Sequence, residues 1–581
     1  MSADDTLRFL FSGVLLLPVA LALPAAVSGQ SLERQAVRCK GQLISRIDID
    51  ARPPFEIRGS KVQQRLAKRV TELHATTNPE IVRRFLALRP GMACTEIRRQ
   101  ESERILRTQP YLAQASVLAI PDSAGGVYLA VTTVDEISLV VGGGASGRTP
   151  YVRAFRLGES NFMGEAISVV GDWRHSEDFR DNWSLKILDY QFLGRPYQLA
   201  VEGARRELGG EWAAEASHPF LTDLQRVSWR TTAGSRDVFR YFKRPNDADA
   251  ASIGLKRSYA DVGGVVRIGR PGKLGLLGAS LSYEAESPQQ FPVTVSLGER
   301  SRDTSTVLIG RYAEHRSARI NALAGLRDVS FMQVTGFESL DGTQDVRKGV
   351  EIATLYGRGF DAFGAKEHDT FASANFYAGA GSPGFFGAME VLTEGRRDAE
   401  TDQWDGLLAS GRFATYMKPS SRHTVLTSLE WSGGWKQRIP FQLTFADRSG
   451  GPRGYGHSWA AGNRRLVMRL EDRIFVGRVK QFATIGVGPF VDAGRLWAGD
   501  APFGINTGTD VALGIGLLAS IPPKSQRFWR LDLALPLNTE HSAKWELRLT
   551  SRNFTRMFWR EPSDVQRNRA RSVPTSIFNW P

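Results

Sequence analysis

Apolar and polar residues alternate one by one through most of this chain, and that habit restricts the fold more than any other feature. Ile167, Val169 and Trp173 alternate with Ser168, Asp172 and Arg174. Val511, Leu513, Ile515 and Leu517 alternate with Asp510, Ala512, Gly514 and Gly516; Trp529, Leu531, Leu533, Leu535 and Leu537 alternate with Arg530, Asp532, Ala534 and Asn538. Trp545, Leu547 and Leu549 alternate with Glu546, Arg548 and Thr550. Successive side chains of a strand point to opposite faces, so each segment reads as a strand with one apolar and one polar face. The pattern recurs from Glu136 to Trp559 with no amphipathic helix of useful length. A soluble sandwich of that extent would have to bury every apolar face against another, and single sheets of more than about ten strands curl or split. A closed barrel instead turns its apolar faces to lipid and its polar faces to a lumen, and leaves no edge. Trp and Tyr near the strand ends suit the interfacial girdles of such a barrel. The predicted fold is an all-β transmembrane barrel over residues 136–559, with about 15 to 19 antiparallel strands.

The N-terminus carries a different signal. Phe9 to Val27 is apolar and is followed by the small residues Ser28 and Gly29, which predicts a secretory signal peptide over 1–29. Asp4 and Asp5 outnumber Arg8 ahead of it, while Pro18 and Pro24 interrupt a helix and argue against a membrane anchor. An exported chain meets an oxidising compartment. Cys39 and Cys94, its 2 cysteines, are therefore read as a disulfide, with two separate thiols as the alternative.

Residues 30–135 read as a small α+β domain. Leu43, Ile47 and Ile49 suggest a strand. Asn78-Pro79 opens a helix through a capping side chain and a proline at the first position, with Ile81, Phe85 and Leu88 at helical spacing. Thr95 is the predicted cap of a second helix running to Arg107. Strands at Ala113–Ile120 and Val127–Thr133 follow, joined by the turn at Asp122-Ser123-Ala124-Gly125-Gly126. A further helix is expected around Val62–Leu73.

The formal net charge of +14 comes from arginines spread along the polar faces of strands. They read as lumen and rim charges, with solvent or anionic lipid head groups as their partners. No basic cluster interleaved with aromatics is present, so nucleic acid is not an expected partner. Two cysteines and no HExxH exclude the common zinc sites, and no cofactor is implied. Gly456-His457-Ser458 lacks the surroundings of a nucleophile elbow, and Gly514-Ile515-Gly516 lies on an alternating strand rather than a phosphate loop. Glu471 and Asp492 form an acid–base pair in principle, but a structural pairing with an arginine is the stronger reading.

That arginine lies in the sequence Gly451-Pro452-Arg453-Gly454-Tyr455-Gly456, a glycine-punctuated turn. Two alternating strands follow. In the first, Arg469, Glu471 and Arg473 share the polar face; in the second, Phe490, Asp492 and Gly494 do. A planar guanidinium on the loop thus has two carboxylates within reach. Gly454 allows the backbone to turn close to the wall, and Gly486, Gly488 and Gly494 are expected to leave room for Tyr455.

In this order and spacing the motifs resemble those of the BamA/TamA superfamily of outer-membrane assembly and secretion barrels. The strand–helix–helix–strand–strand unit resembles a POTRA domain, through Leu88-Arg89-Pro90-Gly91, the helix from Glu101-Ser102 to Leu106-Arg107, and Tyr111-Leu112. The resemblance implies about sixteen strands and a sixth extracellular loop folded into the lumen. That loop's Arg453-Gly454-Tyr455 tip would be locked against Glu471 and against Phe490, Asp492 and Gly494. It also implies location in the outer membrane of a Gram-negative (diderm) bacterium, with the POTRA-like domain in the periplasm. The expected partners are outer-membrane lipids, unfolded outer-membrane or secreted clients, and accessory periplasmic proteins. The implied function is insertion or translocation of clients received by strand addition, without enzymatic chemistry; a passive or substrate-specific channel and a two-partner secretion transporter are the alternatives. A lateral gate is expected between a weak first strand at Gly142, Gly143 and Gly144 and a last strand with Trp545, Leu547, Leu549 and Phe554; glycines that fit a barrel corner are the competing reading. Two features depart from the pattern: room for only one POTRA-like domain, and a C-terminal extension over 560–581, placed either in the periplasm or in the lumen.

Overall fold

The structure is a computed structural model that describes residues 35–55, 75–123, 125–145, 152–175, 180–206, 209–245, 250–296, 299–480, 482–540, 543–553 and 558–569. The predicted signal peptide, the helix expected near Val62–Leu73, Ala124, Phe554 and residues 570–581 lie outside them.

The N-terminal unit comprises β1 (Lys40–Arg52), α1 (Pro79–Arg84), β2 (Ala93–Thr95), α2 (Glu96–Arg107), β3 (Leu112–Pro121) and β4 (Val127–Asp135). Its sheet runs β2-β1-β4-β3, with β1 and β4 parallel. The Asn78 carboxamide oxygen accepts from the Glu80 N–H at 3.0 Å and starts α1, which stops after six residues. Phe85 and Leu88, read as continuing that helix, fall beyond it but are still buried in the core with Ile81. Thr95 is extended and makes no capping side-chain bond. Cys39 and Cys94 are joined by a disulfide, closing the entry of β1 onto β2.

Described strands between Leu139 and Asn553 form one closed barrel. Its first half holds β5 (Leu139–Ala145), β6 (Val152–Glu159), β7 (Ile167–Arg174), β8 (Asn182–Phe192), β9 (Tyr197–Arg205), β10 (Gly210–His218), β11 (Val227–Phe242), β12 (Ala251–Arg270) and β13 (Lys273–Pro288). A short hairpin, β14 (Val293–Ser296) and β15 (Glu299–Arg302), leads to β16 (His315–Thr335), β17 (Thr343–Gly359), β18 (Thr370–Ser382), β19 (Phe385–Arg397), β20 (Trp404–Met417) and β21 (His423–Trp435). The long loop 436–463 contributes β22 (Leu443–Thr444) and β23 (Ala461–Gly462), which pair only with each other. The ring finishes with β24 (Arg464–Val479), β25 (Ala483–Trp497), β26 (Asp510–Ser520), β27 (Arg527–Pro536) and β28 (Glu546–Asn553), and β28 lies beside β5.

Leaving out the two hairpins β14–β15 and β22–β23, twenty described strands make the wall, a wider ring than the roughly sixteen expected. The wall is uneven: β7 has 8 residues, β16 has 21. The alternation is inside out relative to a soluble protein. Leu513, Ile515 and Leu517 on β26, and Leu547 and Leu549 on β28, are exposed, whereas Arg530, Asp532, Glu471 and Asp492 are buried in the lumen. So wide an apolar outer surface is stable only when covered, and a bilayer covers it on all sides.

The N-terminal unit sits on the turns at one end of the barrel. Arg107 on α2 donates two bonds, of 2.8 and 2.9 Å, to the carboxylate of Asp345 on β17. Glu101 accepts from Arg104 beside it, and from the Thr222 hydroxyl and Asp223 N–H of the β10–β11 turn. Although burial works to raise it, the Glu101 carboxyl is held below its ordinary pKa by Arg104 and these donors. Glu136, between β4 and β5, accepts from the Ser525 hydroxyl of the β26–β27 turn. Contacts to Ile81 from Gln191 and to Thr77 from Asn161 complete an arc of turns around the mouth.

Candidate functional site: the lumen loop and its wall

Loop 436–463 leaves β21 at the barrel end away from the N-terminal unit and folds into the lumen, where Phe441, Leu443, Phe445 and Tyr455 form a buried apolar cluster with Leu408 and Leu496. This cluster brings Arg453 to the wall. Gly454 takes φ of +92°, a left-handed conformation that suits glycine, and a Cβ there would lie 3.1–3.2 Å from Pro536 and Ala512.

The Arg453 guanidinium forks onto Asp492, with Nε 2.9 Å from Oδ2 and Nη2 2.7 Å from Oδ1, and its backbone N–H donates to the same carboxylate at 2.9 Å. Nη1 donates to Glu471 at 2.7 Å. The guanidinium carbon stands 3.4 Å from the Phe490 ring centroid, a cation–π contact. Glu471 also accepts from Arg473 at 2.8 Å and from Arg530 at 2.9 Å, and Arg530 binds Asp532 through two bonds of 2.8 Å. Arg469 pairs with Glu430 at 2.6 Å and lies 3.8 Å from Asp492. Four arginines therefore face four carboxylates, and the cluster is close to neutral despite the basic chain.

The six side-chain and backbone positions expected around Arg453 do meet, with one difference in role. Gly494 makes room for Phe445 and Pro452, Gly486 faces Leu340, and Gly488 faces Leu518 and Glu471; none of the three accommodates Tyr455. Tyr455 instead donates its hydroxyl to the Val511 carbonyl at 3.1 Å and packs against Phe445. Phe490 requires Gly514 opposite, where a Cβ would stand 2.2 Å from the ring. Ser458 caps the turn, accepting from the Ala460 N–H, so the Gly456-His457-Ser458 stretch is structural.

Glu546 was not singled out by the sequence. This residue opens β28, and its carboxylate accepts from the N–H groups of Gly454 (2.9 Å) and Gly456 (3.1 Å). The loop tip thus holds the last strand as well as β24 and β25. The signal was present, since Glu546 lies on the polar face of its strand, but the loop's backbone donors are invisible in a sequence. At the ring closure, Gly142, Gly143 and Gly144 lie on β5 opposite Arg156, Phe155 and Ala154 of β6. Leu547 and Leu549 point outward from β28, and Trp545 just precedes it.

No protein-family model and no curated protein matches the chain. Among solved structures, it is similar to CdiB from Escherichia coli, at 12% identity over 88% of this chain and 75% of that one, with a TM-score of 0.42. BamA from Haemophilus ducreyi lacking POTRA domains 1-3 aligns at 11% identity over 88% and 84%, with a TM-score of 0.36. CdiB from Acinetobacter baumannii aligns at 11% identity over 88% and 73%, with a TM-score of 0.38.

Proposed function

We propose that this chain is an outer-membrane barrel of the BamA/TamA type that inserts or exports polypeptide clients. The observation that carries the reading is the grip of Arg453 on Asp492 and Glu471, with Glu546 of the closing strand tied to the same loop tip. A loop built this way couples the lumen to the seam between β28 and β5. Client strands would pair at that seam once it opens, by strand addition.

The N-terminal unit is the POTRA-like receiver on the periplasmic side. The free side of its edge strand β3 holds a bridge from Val37 to Ala119, and the Val117 carbonyl and N–H there are bonded by Arg99 and Glu103 of α2, so an added strand would have to displace these contacts. Glu471 and Asp492 are both taken up by arginines, which supports a structural role for them in holding the loop. Loop 436–463 folds into the lumen and packs on its wall, which favours a gated barrel over a wide passive channel.

The test is a disulfide engineered between β28 and β5. Locked barrels should lose client insertion or secretion and regain it on reduction. Full activity in the locked form would overturn the seam as the route. Depleting the protein and surveying which surface proteins vanish would then separate insertion from secretion.

A further inference from the structure

Residues 558–569 return into the lumen after β28 and run along it. Phe558 starts the run near mid-barrel, edge-on to Tyr377 at 5.8 Å, with its carbonyl accepting from Arg412 at 2.7 Å. Glu561 then accepts from the Ser410 hydroxyl. A single helical turn, α3 (Ser563–Gln566), follows. There Asp564 is gripped by Arg465 of β24 through bonds of 2.6 and 3.0 Å, and accepts from the Thr444 N–H of the lumen loop at 3.2 Å. Val565 is fully buried in the same cluster as Phe445 and Tyr455. Arg569 reaches Glu394 near the outer end of β19 at 3.1 Å, and the carbonyls of Arg567 and Arg569 accept from Arg257 on β12. The run therefore climbs from the middle of the lumen to its outer end and touches wall strands on both sides.

Its contacts are of a kind suited to release. Between apolar anchors at Phe558, Trp559 and Val565 they are ionic and hydrogen-bonded, to Ser410, Arg412, Arg465, Glu394 and Arg257 of the wall. A segment held largely by exchangeable polar contacts leaves when a competitor offers the same groups.

We propose that the lumen wall carries a peptide-binding track, occupied in cis by residues 558–569, and that this segment is a displaceable plug. The track selects a segment with an aromatic residue beneath Arg412, a carboxylate for Ser410, and a second carboxylate for Arg465 beside a small aliphatic side chain. A client segment of that chemistry, aromatic-led and acidic, is the partner that would replace it.

Planar-bilayer conductance of the purified full barrel tests this, and it does not depend on whether the barrel handles clients. Deleting residues 558–581 should raise single-channel conductance several-fold, and adding a synthetic peptide with the sequence of residues 558–569 should restore the block. The same peptide with Asp564→Arg should not. Because a deletion can disturb folding, a charge swap provides the second arm: Arg465→Asp and Asp564→Arg should each open the pore, and the two together should reclose it. Unchanged conductance on deletion, or a peptide that blocks equally well with Asp564→Arg, would overturn the proposal. So would a charge-swapped pair as open as either single variant.

Discussion

Arg453→Ala removes the guanidinium that holds the lumen loop, and the structure indicates where the cost falls. Glu471 keeps Arg473 and Arg530, so it stays paired. Asp492, fully buried, keeps only the backbone N–H of residue 453 and Arg469 at 3.8 Å. Leaving one partner of a buried ion pair alone costs about 3–5 kcal/mol. For a barrel of this length the unfolding entropy corresponds to roughly 1 °C per kcal/mol, so the midpoint of heat-modifiability on gels should fall by about 3–5 °C. The decisive comparison is the double variant. If the cost comes from the stranded carboxylate, Arg453→Ala combined with Asp492→Asn should be more stable than Arg453→Ala alone. Glu471→Gln added to Arg453→Ala should bring no such recovery, because Glu471 remains needed by two other arginines. A midpoint for Arg453→Ala within a degree of wild type would refute the lock, and an Asp492→Asn double variant no better than the single would refute its assignment to Asp492.

Glu546→Ala should free the Gly454 and Gly456 N–H groups from β28; charge-assisted bonds of this kind contribute about 1.5–3 kcal/mol, and faster hydrogen exchange confined to β28 and the loop tip is the expected signature. Burial raises the pKa of Glu136 to about 7, against the pull of Arg527 and Ser525. A carboxyl raised in the folded state favours docking while protonated, so the Glu136 contribution should be whole below about pH 4.5, its ordinary value. The N-terminal unit should then loosen as pH rises through 7, by up to about 3 kcal/mol, and Glu136→Gln should abolish the slope in protease-accessibility assays. Reducing the Cys39–Cys94 disulfide, which spans 55 residues, should cost the N-terminal unit about 4 kcal/mol and show as early cleavage in limited proteolysis of the full chain.

Alternation made the wall legible because a period of two assigns every side chain to a face. Arg469, Glu471 and Arg473 were placed on the lumen side of β24 on that ground alone, and they lie there. The strand number was less accessible. In β10, Ala213, Ala214 and Ala216 put small side chains on both faces, so the period weakens and neighbouring short strands merge by eye. Arg530 and Asp532 lie on the polar face of their strand, but the reach of Arg530 across to Glu471 depends on register and ring curvature, which no local pattern encodes. The path of residues 558–569 was open for the same reason: a short polar segment reads alike in the periplasm and in a wet lumen, and only Arg465, Arg412 and Arg257, distant in sequence, decide between them.

The unequal heights of the barrel wall have a consequence for the surrounding lipid. A tilted strand gains about 2.5 Å of height per residue, so the 8 residues of β7 span about 20 Å while the 21 of β16 exceed 50 Å. An apolar belt is about 25 Å tall, and acyl chains beside the low side must compress by several ångströms to meet it. In the proposed membrane setting, the bilayer beside β7 is thus under local elastic stress that the bilayer beside β16 does not share. A segment lying against the wall at β7 would meet a thinner layer of hydrocarbon than one lying against β16.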